Sequence, residues 1–376
     1  MKILNVIVNL DEQTGGGATE RVYQVSRHLA RAGHDVTVLT TDYRLTAGRL
    51  ASLEGVQVVA VRCLLPRYFV PLPSLGRIDR AVMEADVVHF VSHWSLLSAL
   101  TYPLVRIRRK PYIVSPLGAL PVFGRSGAFK RIYNFVVGTN MVRNATRFVV
   151  ATLAEMPAFR SYGAQETRVA HIPNGINEED YSCVGDDAFA QRIGVGANPF
   201  VLFMGRLNPI KGPDLLLEAF CSIEQRVPEC HVVVIGHDEG MMDALKNIAT
   251  SCGVADRVHF LGFVSREDKS RVIHLSRLVV VPSRKDAMSI VVLEAGIAGK
   301  PVLITDQCGF EEVRSIGGGR VVPATVEGIA AGLVELLGHP EQLAVMGECL
   351  RKFTVENYLW SSMATRYAVL FQGLSH

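Results

Sequence analysis

No Asp-x-Asp triplet occurs in the 376 residues, and the histidines do not fall at ligand spacing. That removes the paired-carboxylate grip on a divalent cation and the common His-based metal sites. Seven cysteines are present, an odd number, scattered and without a Cys-x-x-Cys pair. They suit reduced thiols in a cytoplasmic protein better than a disulfide framework or a zinc site. Long apolar runs are missing too. The longest tract, Val87 to Val105, is interrupted by His89, Ser92, His93 and Pro103, short of the ~18 uninterrupted residues that read as a membrane span. Met1-Lys2 leads directly into a strand without the charged, apolar and small-residue regions of a signal peptide, so an unprocessed chain is the expectation. Net charge is only +3, low-complexity segments are lacking, and nothing global calls for nucleic acid.

What is there reads as a globular two-domain chain, with 49% hydrophobic and 20% charged residues. Strand-like runs at Ile3–Val8, Val36–Thr40, Val56–Val61, Val87–Val91, Tyr112–Ser115, Phe148–Ala151 and Val169–Ile172 alternate with helical patterns. That alternation predicts βαβ units and a parallel sheet. Ala18, Val22, Val25 and Leu29 recur at helical spacing and Gly33 stops that helix, whose N-terminus points at the loop Asp11–Gly17. From Asn174 to Gly185 the chain turns polar and acidic, as a linker does. A second series follows, with strands at Phe200–Met204, His231–Ile235, Val258–Leu261, Leu278–Val281, Pro301–Ile304 and Arg320–Val322. The expected fold is α/β, two Rossmann-like, doubly wound domains facing a cleft, followed by a closing helix from Val355 to Phe371.

Chemistry concentrates in the second series. Arg206 and Lys211 follow the first strand of that series, Asp286 follows the run Val-Pro-Ser-Arg-Lys, and Glu294 stands in Leu-Glu-Ala. Two cations and two carboxylates at the carboxyl ends of parallel strands are the layout of a nucleotide-diphosphate site, with helix N–H groups adding to the grip on phosphate. A lone cation after a strand is more often a solvated surface charge, and the combination raises the functional reading. Gly15-Gly16-Gly17 offers backbone N–H groups to a sugar or phosphate; Asp42 imitates the acid that grips an NAD ribose, but Glu20 stands where a dinucleotide fingerprint needs glycine. A plain flexible turn is the third reading of that loop. His93, just past a strand, could hydrogen-bond a reacting sugar or be a satisfied structural histidine; His89, within the strand, reads as core. Two basic segments, 106–110 and 125–147, read as solvated faces or, beside Phe129, Ile132, Tyr133 and Phe135, as a membrane-facing surface. No nucleic-acid module accompanies them.

Several motifs occur in a family's order across nearly the whole chain: Gly15–Gly17, Pro173-Asn174-Gly175, Gly205-Arg206-Leu207 with Lys211-Gly212, Phe260-Leu261-Gly262-Phe263, Pro282-Ser283, Glu294-Ala295 and Gly299-Lys300-Pro301-Val302. In these the chain resembles the GT-B retaining glycosyltransferases of the family 4 (group 1) type. The resemblance implies an acceptor-binding domain over residues 1–175, a nucleotide-sugar domain over 176–355, and a terminal segment 356–376 returning to the first. It implies catalytic roles for His93, Arg206, Lys211 and Asp286. The donor would be bound by Gly16, Gly17, Arg206, Lys211, Asp286, Ala287, Met288, Ser289, Ile290 and Glu294, with Glu294 on the ribose. No metal and no cofactor are expected beyond the nucleotide-sugar donor, since the leaving phosphate itself helps deprotonate the acceptor. A hexose or N-acetylhexosamine would pass to a lipid-linked glycan in bacterial cell-surface polysaccharide or lipopolysaccharide assembly, in the cytoplasm or peripherally on the inner face of the cytoplasmic membrane. Two departures stand out: Asp286 replaces the first Glu of the family's Glu-seven residues-Glu pattern, and Leu117 stands where relatives often carry Arg. A nucleotide-sugar epimerase of the same shape and a non-catalytic sugar- or partner-binding relative are the alternatives.

Overall fold

A computed structural model describes residues 1–11, 16–121, 127–286 and 288–374. The chain divides into two compact units, Met1–Gly175 with Trp360–His376, and Ile176–Leu359. In the first unit β1 (Lys2–Val6), β2 (Asp35–Thr41), β3 (Val56–Val61), β4 (Cys63–Leu65), β5 (Val70–Pro71), β6 (Val87–Val91), β7 (Tyr112–Ser115), β8 (Arg147–Val150) and β9 (Val169–His171) appear in chain order. Seven of them form one sheet in the order β3-β2-β1-β6-β7-β8-β9, with parallel pairing throughout. Helices cover both faces, which is why the central strands are unbroken Val/Ile/Leu runs. The short antiparallel hairpin β4–β5 has no counterpart in the sequence reading; its residues Leu64 and Leu65 are exposed and carry no alternating core face.

The helix Gly16–Arg31 buries more than the predicted Val22, Val25 and Leu29: Arg21, Gln24 and Ser26 are buried as well. It packs beside the helix Trp360–Gln372 on the sheet, where Trp360, Met363, Tyr367 and Phe371 join Ile3, Val25, Leu29 and Ile113 in one core. Arg21 is wholly buried without a carboxylate. Its guanidinium donates to Ile172 O (3.0 and 2.9 Å), Asn174 Oδ1 (3.1 and 2.9 Å) and the Tyr367 hydroxyl (2.9 Å). One side chain thus satisfies the end of β9, the segment that follows it, and the terminal helix, making full use of a planar five-donor fork.

In the second unit β10 (Phe200–Met204), β11 (His231–Ile235), β12 (Val258–Gly262), β13 (Leu278–Val281), β14 (Val302–Thr305) and β15 (Gly319–Val322) form a second parallel sheet, ordered β12-β11-β10-β13-β14-β15. The order reverses between β10 and β13, which opens a crevice at their carboxyl ends. The single closing helix expected over Val355–Phe371 is two: Pro340–Tyr358 and Trp360–Gln372. Leu359 takes an extended conformation (φ −69°, ψ 140°) because it pairs with Ile176, whose N–H reaches Tyr358 O at 2.8 Å. Trp360 then packs on Gly175, where an added Cβ would lie 2.7 Å from the indole.

Arg21→Ala strands two buried acceptors and a part-buried one, each buried acceptor costing about 1–3 kcal/mol. A loss of at least about 3 kcal/mol in urea unfolding is expected. Arg21→Lys should recover less than half of it, because one ammonium cannot reach both carbonyl and amide partners. An unchanged midpoint for Arg21→Ala would refute this account.

Candidate active site

The second unit's crevice is shaped by two backbone approaches that only glycine allows. Gly236 (φ +147°) faces Gly205, and a Cβ there would lie 1.7 Å from Gly205 O; Gly212 (φ +67°) faces the end of β13, and a Cβ there would lie 2.1 Å from Pro282 O. The second approach brings the loop after β10 against the loop after β13. Hydrogen bonds stitch the two together: Arg284 N donates to Ile210 O (2.8 Å), and the Arg284 guanidinium to Pro209 O (2.7 Å) and both Asp214 oxygens (2.9 and 2.6 Å). Asp286 N donates to Gln307 O at 2.8 Å, tying the same loop to the end of β14.

The result is a cavity of about 250 Å³ lined by Gly205, Arg206, Lys211, Ser283, Asp286, Met288, Ser289 and Ile290. Lys211 Nζ donates to Asp286 Oδ2 at 2.5 Å, with both side chains largely sheltered. Arg206 instead reaches Glu239 Oε1 at 2.8 Å, while Asn208 Nδ2 donates to Glu239 Oε2 at 2.6 Å. Those two bonds, Asn208 first and Arg206 second, hold the Glu239 carboxyl below its usual range. Both cations therefore have a carboxylate partner before any anion arrives. Ser283 is buried and its hydroxyl has no partner among the described residues. Glu294, inside the helix Ile290–Ile297, stands apart from the cavity lining: its Oε1 accepts from the Tyr181 hydroxyl and Lys269 Nζ, each at 2.6 Å. Burial, and then this carboxylate, hold the Tyr181 phenol well above its usual range.

Of the expected site residues the structure thus gathers Arg206, Lys211, Asp286, Met288, Ser289 and Ile290 around one cavity. Ala287 and Gly15 lie outside the described residues. Gly16 and Gly17 open the helix Gly16–Arg31 in the first unit, exposed and with nothing within 4 Å of an added Cβ. Asp42 Oδ1 accepts from Cys63 N at 2.7 Å. Glu239, Asn208, Tyr181 and Lys269 went unread in the sequence, and Ser283 enters there only within the motif Pro282-Ser283. Glu239 carried a usable signal, since it follows β11 at the same carboxyl edge as Arg206.

His93, in the first unit, is fully enclosed. Trp94, Tyr133 and Tyr162 stand edge-on around it, with ring centroids 4.5–5.5 Å away. Asn134 Nδ2 donates to the Tyr162 hydroxyl (2.6 Å), which donates to Leu120 O (3.0 Å). The Asn134 oxygen therefore faces His93 Nε2 at 3.0 Å, which puts the ring proton on Nε2 and leaves Nδ1 a buried acceptor without a described partner. Burial, opposed weakly by Asn134, pushes its pKa down to about 4. His89 is the core residue the sequence predicts: Nδ1 meets Asn5 (2.9 Å), Nε2 meets Ser115 (2.7 Å), and burial followed by the Arg21 charge lowers its pKa to about 3. Among the described residues no three His, Cys, Asp or Glu side chains come together as a metal-holding group, and no helix is long and apolar enough to cross a membrane.

A doubly wound pair of units, one of them with cations converging on its switch-point crevice, defines a GT-B glycosyltransferase, and comparison with known proteins gives the family. The glycosyl transferase 4-like domain matches residues 16–175 and the glycosyl transferases group 1 domain matches residues 187–353. The D-inositol 3-phosphate glycosyltransferase of Mycobacterium sp. (strain JLS) is 32% identical over 354 residues, 86% of this chain and 75% of that one. The GDP-mannose-dependent alpha-(1-6)-phosphatidylinositol monomannoside mannosyltransferase of Mycolicibacterium smegmatis is 29% identical over 57% of this chain and 59% of its own. Anabaena HepE, solved in complex with UDP, superposes with a TM-score of 0.77 at 20% identity, covering 99% of this chain and 100% of that one. The chain belongs to the group 1 glycosyltransferases and is a glycosyltransferase.

Two outcomes follow from the charge arrangement. An exposed ion pair is weak, so Glu239→Gln, which releases Arg206, should tighten nucleotide-diphosphate binding by no more than about fivefold by calorimetry. Weaker binding would mean that Glu239 itself contacts the ligand. For His93 and His89 the folded pKa lies below the unfolded value near 6.5, so the unfolded chain binds more protons between pH 6.5 and about 4. Stability is complete above pH 6.5 and falls as pH drops through that window, by at most about 1.4 kcal/mol per pH unit for each histidine. His93→Gln should flatten the melting-temperature slope there, and an unaltered slope would exclude His93 as a source of it.

Proposed function

We propose that this glycosyltransferase takes a hexose or N-acetylhexosamine from a nucleotide diphosphate sugar, with retention and without a metal ion, and delivers it to a lipid-linked glycan of the bacterial cell surface. The observation that carries the reading is the meeting of Arg206, Lys211 and Asp286 at one cavity on the switch point of the second sheet. Arg206 and Lys211 exchange their carboxylate partners for the diphosphate and neutralise its charge, the service a cation would otherwise perform. Asp286, released from Lys211, accepts hydrogen bonds from the donor sugar's hydroxyls, with Met288, Ser289 and Ile290 closing the pocket behind it. Glu294 receives the ribose through Oε2, since its Oε1 is taken by Tyr181 and Lys269. Gly16 and Gly17 offer N–H groups to the donor, and His93, whose enclosed ring reaches no ligand directly, supports the sugar side through its bond to Asn134.

In the transfer step the anomeric C–O bond breaks with its electron pair going to the leaving phosphate. The acceptor oxygen bonds to the same face, and its proton passes to that phosphate. No side chain has to act as nucleophile or base, so catalysis here rests on positioning and charge stabilisation. HepE is described in complex with UDP, and the mannosyltransferase relative is named for GDP-mannose and a phosphatidylinositol acceptor. These support a nucleotide-sugar donor and a lipid-borne acceptor and leave the base open. A lipid-borne acceptor fits a cytoplasmic enzyme resting on the inner face of the membrane.

Loss of one charge-assisted phosphate contact costs roughly 1.5–3 kcal/mol. Arg206→Ala and Lys211→Ala should each raise the nucleotide Kd about ten- to a hundredfold while leaving the fold intact; calorimetric values within twofold of wild type for both would sink the assignment. Asp286→Ala should lower kcat at least about tenfold, roughly 1.4 kcal/mol, with little change in nucleotide Kd. Turnover should persist in excess EDTA, and complete loss restored by Mg²⁺ or Mn²⁺ would overturn the metal-free step.

A further inference from the structure

The helical run Gly127–Arg143 has a well-anchored inner side and an outer side that is exposed among the described residues. Inward, Tyr133, Val137, Met141 and Val142 join the first unit's core, Tyr133 donates to Ser95 O at 3.2 Å, and Asn134 is held between His93 and Tyr162. A π-helical turn over Asn134–Gly138 accommodates that anchor, and Gly138 leaves it room: an added Cβ would lie 2.4 Å from Asn134 Oδ1 and 2.9 Å from His93 Nε2. Outward, Phe129, Ile132, Phe135 and Val136 are 53%, 62%, 89% and 63% exposed. They share one side, at spacings of three, six and seven residues from Phe129. Four large apolar side chains in water on a fixed helix are a contact surface rather than scatter.

The tip of the β4–β5 hairpin adds Leu65 and Tyr68, 57% and 65% exposed. β5 and the π-helical turn both abut the helix Leu96–Ile107, so the hairpin and the helical run share it as a neighbour. Both follow the carboxyl ends of strands, β3 and β7, and therefore stand at the same edge of the parallel sheet. The charge carried by these two stretches of chain has one sign, Asp42 meeting the hairpin only at Cys63 N. Residues 62–78 and 87–154 contain no Asp or Glu, while Arg67 and Arg131 are exposed within the apolar patches. The other basic segment, 106–110, is different in kind. It precedes β7 at the opposite edge, Arg108 is bound to Asp79 (3.0 and 2.6 Å), and Lys110 Nζ donates to Met83 O and Ala85 O (2.8 and 2.6 Å). Arg125 lies outside the described residues.

We infer that the outer side of Gly127–Arg143, with the β4–β5 tip beside it, docks on an anionic phospholipid surface, the apolar side chains entering the interface and the arginines meeting the headgroups. The inference deepens the lipid-acceptor reading and rests on it only for its purpose. A protein partner would need matching acidic and apolar groups, whereas an anionic bilayer supplies a headgroup layer over an acyl layer in the order that the arginines and apolar tips require. Segment 106–110 takes no part.

The test is co-sedimentation of the full chain with phosphatidylcholine vesicles, with and without a quarter phosphatidylglycerol. Wild type should partition at least about tenfold more strongly onto the anionic vesicles, and 0.5 M NaCl should reverse most of the gain. Ile132→Ser with Phe135→Ser, and separately Arg131→Glu, should each reduce binding about tenfold or more, with thermal stabilisation by nucleotide unchanged. Arg109→Gln should bind as wild type. Should the double variant fold poorly, hydrogen exchange on wild type gives the same answer, with vesicle protection expected at 129–136 and 64–70. Equal partition onto both vesicles, protection at 106–110 instead, or a vesicle-free dimer that Phe135→Ser dissociates would overturn the inference. Because the nucleotide response is read in the same samples, failure of the docking surface is distinguishable from failure of the donor site.

Discussion

Two backbones touch where Gly212 meets Pro282 O, and the donor-side chemistry depends on that approach. Any side chain at position 212 would force the loop after β10 away from the loop after β13. Lys211 could then no longer reach Asp286, and the hydrogen bonds of Arg284 to Pro209 and Asp214 would open. The cavity is therefore a property of loop-to-loop distance first and of charge second. With the distance set, opposite charges at 2.5 Å hold the unliganded site in a defined arrangement that an incoming diphosphate must replace.

The first unit is held by a different device. Its sheet is crossed by a line of buried polar groups, Ser26, Asn5, His89 and Ser115, beside the uncharged partners of Arg21. Buried polar groups of this kind are costly when any member is missing and specific when all are present. Arg21 makes the terminal helix part of the first unit by bonding Tyr367, so the returning segment is secured by directional bonds as well as by Trp360, Met363 and Phe371. The same economy appears at His93, whose Nε2 anchors the π-helical turn and so fixes the outward side of Gly127–Arg143.

Much of this was legible in the residues alone. Among the described residues the thirteen strands of the two parallel sheets coincide with the predicted apolar runs to within about two residues at each end, because strands buried on both faces must be continuous apolar stretches. The β4–β5 hairpin was not legible, since its exposed leucines have no core-facing alternation to read, and neither was the helix break at Leu359, which one long-range pairing with Ile176 imposes. At the site, the positions of Arg206, Lys211 and Asp286 at strand ends followed from the parallel-sheet rule. Their partners did not: Glu239 and Asn208 lie across the sheet edge, and Tyr181 and Lys269 reach Glu294 over separations of 113 and 25 residues.

The sequence by itself determined the two doubly wound sheets, the edge on which each carries its loops, and the family, because periodicity and ordered motifs are local properties of the chain. Only the tertiary structure decided which carboxylate each cation meets, that Arg21 would be buried without one, that His93 would be enclosed by aromatics, and that segment 106–110 would be tied down while Phe135 stands in water. Those outcomes depend on distances between residues far apart in the chain, set by the packing of loops and helices, and nothing in the spacing along the chain encodes them.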